Sequence, residues 1–545
     1  ATLLTGCNFL DDNPQGIMTE KEAISKADEL VTTAYSSLGN DHYDVPFSLW
    51  IYGNVRADDA YKGGQDVSDI QHFHFYEIAQ NIDPTFGEAD RFWFMCYMAI
   101  SRTNTALKAL QKASDAEVAN RQSRMGEMYF LRGHFYFVLK TIFGHIPFVD
   151  ENTPDSAYET TPNTLPNDEQ WQKIVNDFKK AYDLLPATQA QKGRATKSAA
   201  AAYLAKAYLY KAYRQSDNNS VTGINSQDLQ EVLTYTNVVL SSAYGLEDDF
   251  AFNFLPGGYE NGKESLFAVQ YSVDDGTQYG SLNWGDVLSV PQKLGCCDFH
   301  KPSQNLVNAF KTVNGLPDFD NFNNNDYNAA NDKADPRLFH TVALPGLPYK
   351  YNTELIYKND WNRNSNVYGF YASLKENVDP SCSCFRNINP FRGNSKNRIV
   401  LRYADVLLMR AEALIELNRS NEALALINQV RQRAKQSTSL IGYATNTDIA
   451  LYQDGVNITW NQENARKALR WERRLEFAME GSRFFDLVRW GIADQVLNDY
   501  FTKEKTRRPA IFSSAYFTKN KNEYIPIPQN QIGYVKGIYK QNAGF

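Results

Sequence analysis

The sequence predicts a mainly α-helical protein: a scaffold of TPR-like (tetratricopeptide-like) helix pairs carrying one large loop-rich insertion and a few short strands. Three observations predict it. Apolar residues recur at helical spacing through much of 18–255 and 396–500. Several of these stretches come as neighbouring pairs, each about as long as a tetratricopeptide unit. From 256 to 395 the pattern lapses, and Gly, Asn, Asp and Pro become abundant.

In chain order, Thr19 and Glu22 form a capping box, after which Ile24, Ala27, Val31, Ala34 and Leu38 repeat at helical spacing until Gly39. Two long apolar helical stretches lie between 88 and 143. In the second, Phe130, His134, Phe137 and Thr141 recur about once per turn, which reads as core rather than as a cofactor site. Asn167 is placed to cap a helix with one apolar stripe from Trp171 to Leu185, stopped by Pro186. The next helix, 196–213, is rich in Ala, which lets helices approach closely. Further pairs are expected at 402–417 with 421–435 and at 463–480 with 483–498. The insertion contains a strand-like run, Leu266 to Val273, and a polar loop, Asn321 to Asp332. Ordered loops on this scale usually carry function.

The 545 residues, 43% of them hydrophobic, suffice for a large core. Net charge is −7 with no basic run, which excludes a nucleic-acid partner. Aromatic residues make up 13%, and such rings stack on apolar sugar faces as well as on one another. Six cysteines occur without a paired C-x-x-C, so zinc ligation by thiolates is not expected. Cys96, on an aromatic helix, reads as a buried free thiol. The adjacent Cys296 and Cys297 allow a vicinal disulfide with a flat sulfur surface, two free thiols, or pairing with Cys382 and Cys384.

Leu4-Thr5-Gly6-Cys7 has the residue order of a bacterial lipobox, with Cys7 as the lipidated residue. Residues 1–7 then read as a signal remnant and lipobox, 8–17 as a flexible tether, and 18–545 as a single domain whose segment 501–545 follows the helices. No later segment reaches the roughly 18 apolar residues of a spanning helix. The expected attachment is a lipid anchor.

Several motifs hint at chemistry. Glu472, Glu476 and Glu480 share one helix face, an arrangement that could serve glycoside hydrolysis. Arg473 with Glu476, and Arg483 with Asp486, are instead spaced for i,i+3 ion pairs, so a structural role is expected. Gly257 to Lys263 approaches a phosphate-binding loop, but Glu264 replaces its Ser or Thr and a strand follows where a helix is needed. Asp318, Asp320, Asn323, Asn325 and Asp326 offer oxygens for calcium without the EF-hand order. They are expected to be turn residues, and no cofactor is expected.

Several blocks together resemble the SusD/RagB family. Phe9-Leu10-Asp11 follows the lipobox; Tyr129 to Phe137 (YFLRGHFYF) leads into Phe143 to Val149 (FGHIPFV); and Gly193 to Lys197 (GRATK) opens the Ala-rich helix. Arg402 to Met409 (RYADVLLM), Glu472 to Gly491 (ERRLEFAMEGSRFFDLVRWG) and Ile525 to Pro528 (IPIP) complete the set. None of these blocks falls in 256–395. The resemblance implies an outer-membrane surface lipoprotein, without catalytic activity, that captures oligosaccharide or polysaccharide for a SusC-like TonB-dependent transporter docked against the TPR-like pairs. Import of peptides on the same scaffold is the nearest alternative, and a surface glycoside hydrolase a more distant one.

Sugar binding needs exposed rings flanked by polar groups. Candidates are Asp41, Tyr43, Asp66 and Phe86, in loops where the family places part of its site, and Tyr279, Trp284, Trp361, Arg363 and the Cys296–Cys297 pair in the insertion. Packing within the loops is the competing explanation for each aromatic.

Overall fold

A computed structural model describes residues 18–545; the lipobox with Cys7 and the 8–17 tether lie outside the described residues. Thr19 caps α1 (Glu20–Ser25) with both reciprocal bonds of a capping box. The chain breaks at Lys26 and continues as α2 (Ala27–Ser36), so the expected single helix is two. Only α2 has an inward face, with Ala27, Val31 and Ala34 buried, and the break lets that face dock.

Helices α3 (Gly87–Lys112) and α4 (Arg121–Phe143) follow, and α4 is buried all round from Gly126 to Phe143. A Cβ on Gly133 would stand 2.8 Å from the Phe178 ring, so this bare position sets how closely α5 (Asn167–Leu184) approaches α4. Phe178 in turn stacks on Tyr203 of the Ala-rich α6 (Lys197–Ala212), with ring centroids 4.4 Å apart. Asn167 is not a cap: it is the first helical residue, and its side chain accepts a hydrogen bond from buried Lys140 at 2.5 Å.

From α3 to α7 (Ser226–Leu240) each helix packs on the next. Helix α7 packs on α8 (Tyr403–Glu416), which meets α9 (Ser420–Gln436) and α10 (Gln462–Glu476). The result is one ribbon of paired helices on a single connected core. The expected pair 463–480 with 483–498 is shorter and more broken. Helix α10 stops at Glu476, before left-handed Met479, and Gly491 (φ 69°) separates α11 (Arg483–Arg489) from α12 (Ala493–Arg507).

The insertion leaves the ribbon at β2 (Ser265–Val269) and returns at β6 (Arg398–Arg402); the two pair antiparallel, sewing its ends together. The expected strand to Val273 ends four residues earlier. A second pair, β1 (Ala60–Gly63) with β3 (Phe299–Pro302), ties the insertion to the N-terminal loops. A hairpin of β4 (Phe385–Ile388) and β5 (Phe391–Asn394) turns at Asn389–Pro390. In the polar loop, Asp320 meets Lys467 at 2.6 Å, Asp326 meets Arg507 at 2.7 Å, and Asp318 caps the Asn321 amide.

Beneath these strands lies a buried lattice of ion pairs. Arg402 reaches Glu264 at 2.8 Å, Glu476 at 2.5 Å and Glu480 at 2.8 Å. Arg337, fully buried within the insertion, bonds Glu472 at 2.6 Å, Glu476 at 2.9 Å and Asp335 at 2.7 Å. Arg431 and Arg433 add bonds to Glu472, Glu264 and Glu476. The glutamate face of α10 is thus structural, but its partners are distant in sequence. Arg473 bonds Asp405 (2.8 Å) and Asp486 (2.9 Å) rather than Glu476, and Arg483 bonds Asp58 (2.9 Å) rather than Asp486. An i,i+3 pair on one helix holds only that helix, whereas these join separate elements.

Burial alone would raise the Glu476 carboxyl, but Arg433, Arg402 and Arg337 overrule it and hold it well below the usual range. Replacing Arg402 with Met should therefore leave buried carboxylates uncompensated and lower stability by about 3–5 kcal/mol. Urea unfolding measures it; a loss under about 1 kcal/mol would mean that the lattice does not hold the insertion.

Candidate functional site

Three segments far apart in sequence meet at the surface of the insertion: the 41–47 loop, the 3-10 helix Trp284–Ser289, and the β4–β5 hairpin. The Phe391 ring lies 5.3 Å from Tyr43 and 6.1 Å, edge-on, from Trp284. All three rings are partly exposed. His42 extends the row, 4.2 Å from Tyr43, with its Nδ1 2.7 Å from Asp44. Arg91 also pairs with Asp44, so that carboxylate is already occupied.

The platform is held from below. The Ser48 hydroxyl donates to Asp286 at 2.5 Å and the Trp50 indole N–H to the Gly285 carbonyl at 3.0 Å, clamping the helix that carries Trp284. The Asn283 amide donates to the Asn394 carbonyl at 3.0 Å, tying that helix to the hairpin. Asp41 fills the space under Gly285, where a Cβ would come within 2.2 Å of its Oδ2. Asp41 is therefore a support and not the expected ligand contact, because the helix covers it. Its Oδ2 accepts the Phe47 amide at 3.3 Å, while Oδ1 is buried without a hydrogen-bond partner among the described residues. Burial pushes its carboxyl up to about 7; Asp286 adds to the rise and Arg398 opposes it.

On the same hairpin, Arg392 lies over Gly295, where a Cβ would stand 2.5 Å from its Nε. Its hydrogen bonds among the described residues run to the Pro390 and Phe391 carbonyls, at 3.4 and 2.9 Å, leaving guanidinium N–H groups free. Cys296 and Cys297 follow Gly295 and are bonded to each other, as are Cys382 and Cys384. Cys297 is buried and Cys296 partly exposed at the edge of the platform. Cys96 is free and buried.

The other candidates stand apart from this cluster. Trp361 is buried at 5% exposure between Tyr349 (5.4 Å) and Tyr357 (5.3 Å), so it presents no open face; it packs a small core of its own. Arg363 pairs with Asp69 at 3.0 Å. The Asp66 carboxylate is used by its own turn, accepting the Ser68 amide at 2.8 Å and hydroxyl at 2.6 Å. Phe86 stacks on Phe75 at 6.0 Å. Tyr279 is open at 46% exposure and makes no ring contact among the described residues. Phe391 and Arg392 were not expected. The available signal was the Asn389–Pro390 turn between Phe385-Arg386 and Phe391-Arg392, which reads as a hairpin tip carrying rings and cations.

Among the described residues, no cluster of three or more acidic, His or Cys side chains is arranged to hold a metal ion, and no helix is long and apolar enough to cross a membrane. The model of the SusD family matches residues 263–545, taking in nearly all of the insertion where the sequence motifs failed. A second model, described as starch-binding associating with outer membrane, matches residues 8–209. A SusD-like protein of Formosa agariphila is 24% identical over 99% of this chain and 97% of its own length. A SusD homolog from Bacteroides thetaiotaomicron superposes with a TM-score of 0.72 at 20% identity, covering 97% of this chain and 99% of that one. Surface glycan-binding protein A from Bacteroides fluxus does so with a TM-score of 0.67 at 21% identity, over 95% and 99%.

The buried Asp41 carboxyl sets a pH dependence. Its folded pKa is raised, so its contribution is complete below the ordinary 3.8 and is lost as pH rises through about 7. Asp41→Asn removes the charge. The difference in unfolding free energy between variant and parent should grow in the variant's favour by roughly 2–4 kcal/mol from pH 4 to pH 8. A difference independent of pH would show that Asp41 is not held protonated.

Proposed function

Because the chain belongs to the SusD/RagB family, we propose that it is a surface-exposed, lipid-anchored outer-membrane protein that captures oligosaccharides on the Tyr43–Phe391–Trp284 platform and passes them to a SusC-like TonB-dependent transporter. The observation that carries this reading is the platform itself. Three partly exposed rings, held rigid from below, provide the apolar faces on which pyranose rings stack. Backing from the hydrogen-bonded Trp284 helix means little ordering is needed on binding.

Capture without cleavage fits the local chemistry. A glycosidase needs two carboxyl groups flanking the bond. Asp44 is engaged by Arg91 and His42, and Asp41 lies under the helix, so neither faces a ligand on the rings. The glycan-binding description of the Bacteroides fluxus protein points the same way.

Calorimetry of the soluble form beginning after Cys7, against fructans, α-glucans, xylans, mannans, host glycans and peptides, tests the proposal. One polysaccharide class should bind saturably with no new reducing ends. Phe391→Ala and Trp284→Ala should each weaken that binding roughly tenfold while leaving the unfolding midpoint nearly unchanged. Binding that is unaffected by either change, or a peptide signal alone, would overturn it.

A further inference from the structure

Beneath the platform, between the helix ribbon and the insertion, is a cavity of about 160 Å³. Ser48, Asn283 and Asp286 line it from the Trp284 side, and Lys375, Lys396 and Arg398 from the side of the returning chain. Its charges are unevenly matched. Each lining carboxylate is already satisfied: Asp286 by Ser48 (2.5 Å) and Asn283 (2.6 Å), Glu376 by Ser373 (2.5 Å) and His300 (2.8 Å), Glu480 by Arg402 (2.8 Å) and Lys375 (2.7 Å).

Two cations are not. Lys396 is only 6% exposed, yet its ammonium makes no hydrogen bond or ion pair among the described residues; only its backbone N–H is bonded, to Asn394 at 3.0 Å. Arg398 has Nη2 3.5 Å from the Leu38 carbonyl and a buried Nε without a hydrogen-bond partner, and although Tyr271, Asp41 and Asp286 favour its charge, none of them is within ion-pair distance. A buried, unpaired cation is costly in proteins unless a counter-ion enters. Burial pushes the Lys396 ammonium down, against the pull of Asp286, Glu376, Glu260 and Glu480, none of which is within ion-pair distance.

We propose that this cavity is a binding site for a small inorganic anion, held between the Lys396 ammonium and the Arg398 guanidinium. The position matters for the surface above. Lys396 directly follows the β4–β5 hairpin that carries Phe391, while Ser48 and Asn283 brace the helix that carries Trp284. An anion here joins the two supports of the platform from inside. The site itself does not depend on what the platform binds.

Thermal unfolding of the soluble chain in a halide-free zwitterionic buffer, titrated separately with chloride, sulfate and phosphate, tests it. At least one anion should raise the Tm saturably, by about 2 °C at a hundredfold excess over its Kd. Lys396→Met should abolish the saturable part and keep only the linear rise that salts give every protein. If that variant does not fold, Lys396→Gln replaces it. Crystals soaked in bromide, should chloride bind best, or selenate, should an oxyanion do so, should show the anion beside Lys396 Nζ. No saturable rise with any anion, an equal rise in the Lys396 variant, or density only elsewhere would overturn the proposal.

Discussion

Everything else in this structure depends on the placement of one buried carboxylate, Glu476. It ends α10 and accepts from Arg337 of the insertion, Arg402 of the strand that closes the insertion, and Arg433 of α9. Charges so deeply buried cost more to desolvate than a single partner returns, so they persist only where several partners meet each carboxylate. That condition makes the lattice selective. The insertion lies on the ribbon in an arrangement that gives each of these carboxylates its guanidinium partners, and the same arrangement places β6, and with it Lys396, Arg398 and the hairpin, where the platform forms.

The lattice also explains why so conspicuous an array of acids and arginines carries no reaction. Glu472 and Glu476 are fully buried and each is met by two or more guanidinium groups, so neither carboxylate faces a substrate. The chemistry open to ligands lies instead where rings are half-exposed and a guanidinium has spare donors.

The platform is assembled from rigid parts. Its rings sit on loops, yet each loop is bonded to another element: Trp284 through Ser48 and Trp50, the hairpin through Asn283 and Asn394, Tyr43 through the Asp41 turn. Loops can vary their side chains freely while their backbone anchors stay put.

Much of the ribbon was legible from the sequence, because helical periodicity, the Thr19 capping box and the Ala-rich face of α6 are local signals. The same holds for Tyr43 and Trp284 as ring candidates, since composition and loop context mark them. Phe391 escaped notice because its importance lies in the segments it meets, and Trp361 misled because a lone Trp in a polar loop looks exposed until Tyr349 and Tyr357 close over it. Arg473 and Arg483 show the same limit: their need for carboxylates was plain, but which carboxylates was not. The sequence by itself determined the helix-pair class, the place of the insertion and the kinds of side chain available for binding, all of which follow from short-range spacing. The partners of buried charges, the depth of each ring and the cavity under the platform were decided by tertiary structure alone. Burial and ion pairing depend on contacts between residues hundreds of positions apart, which no local pattern encodes.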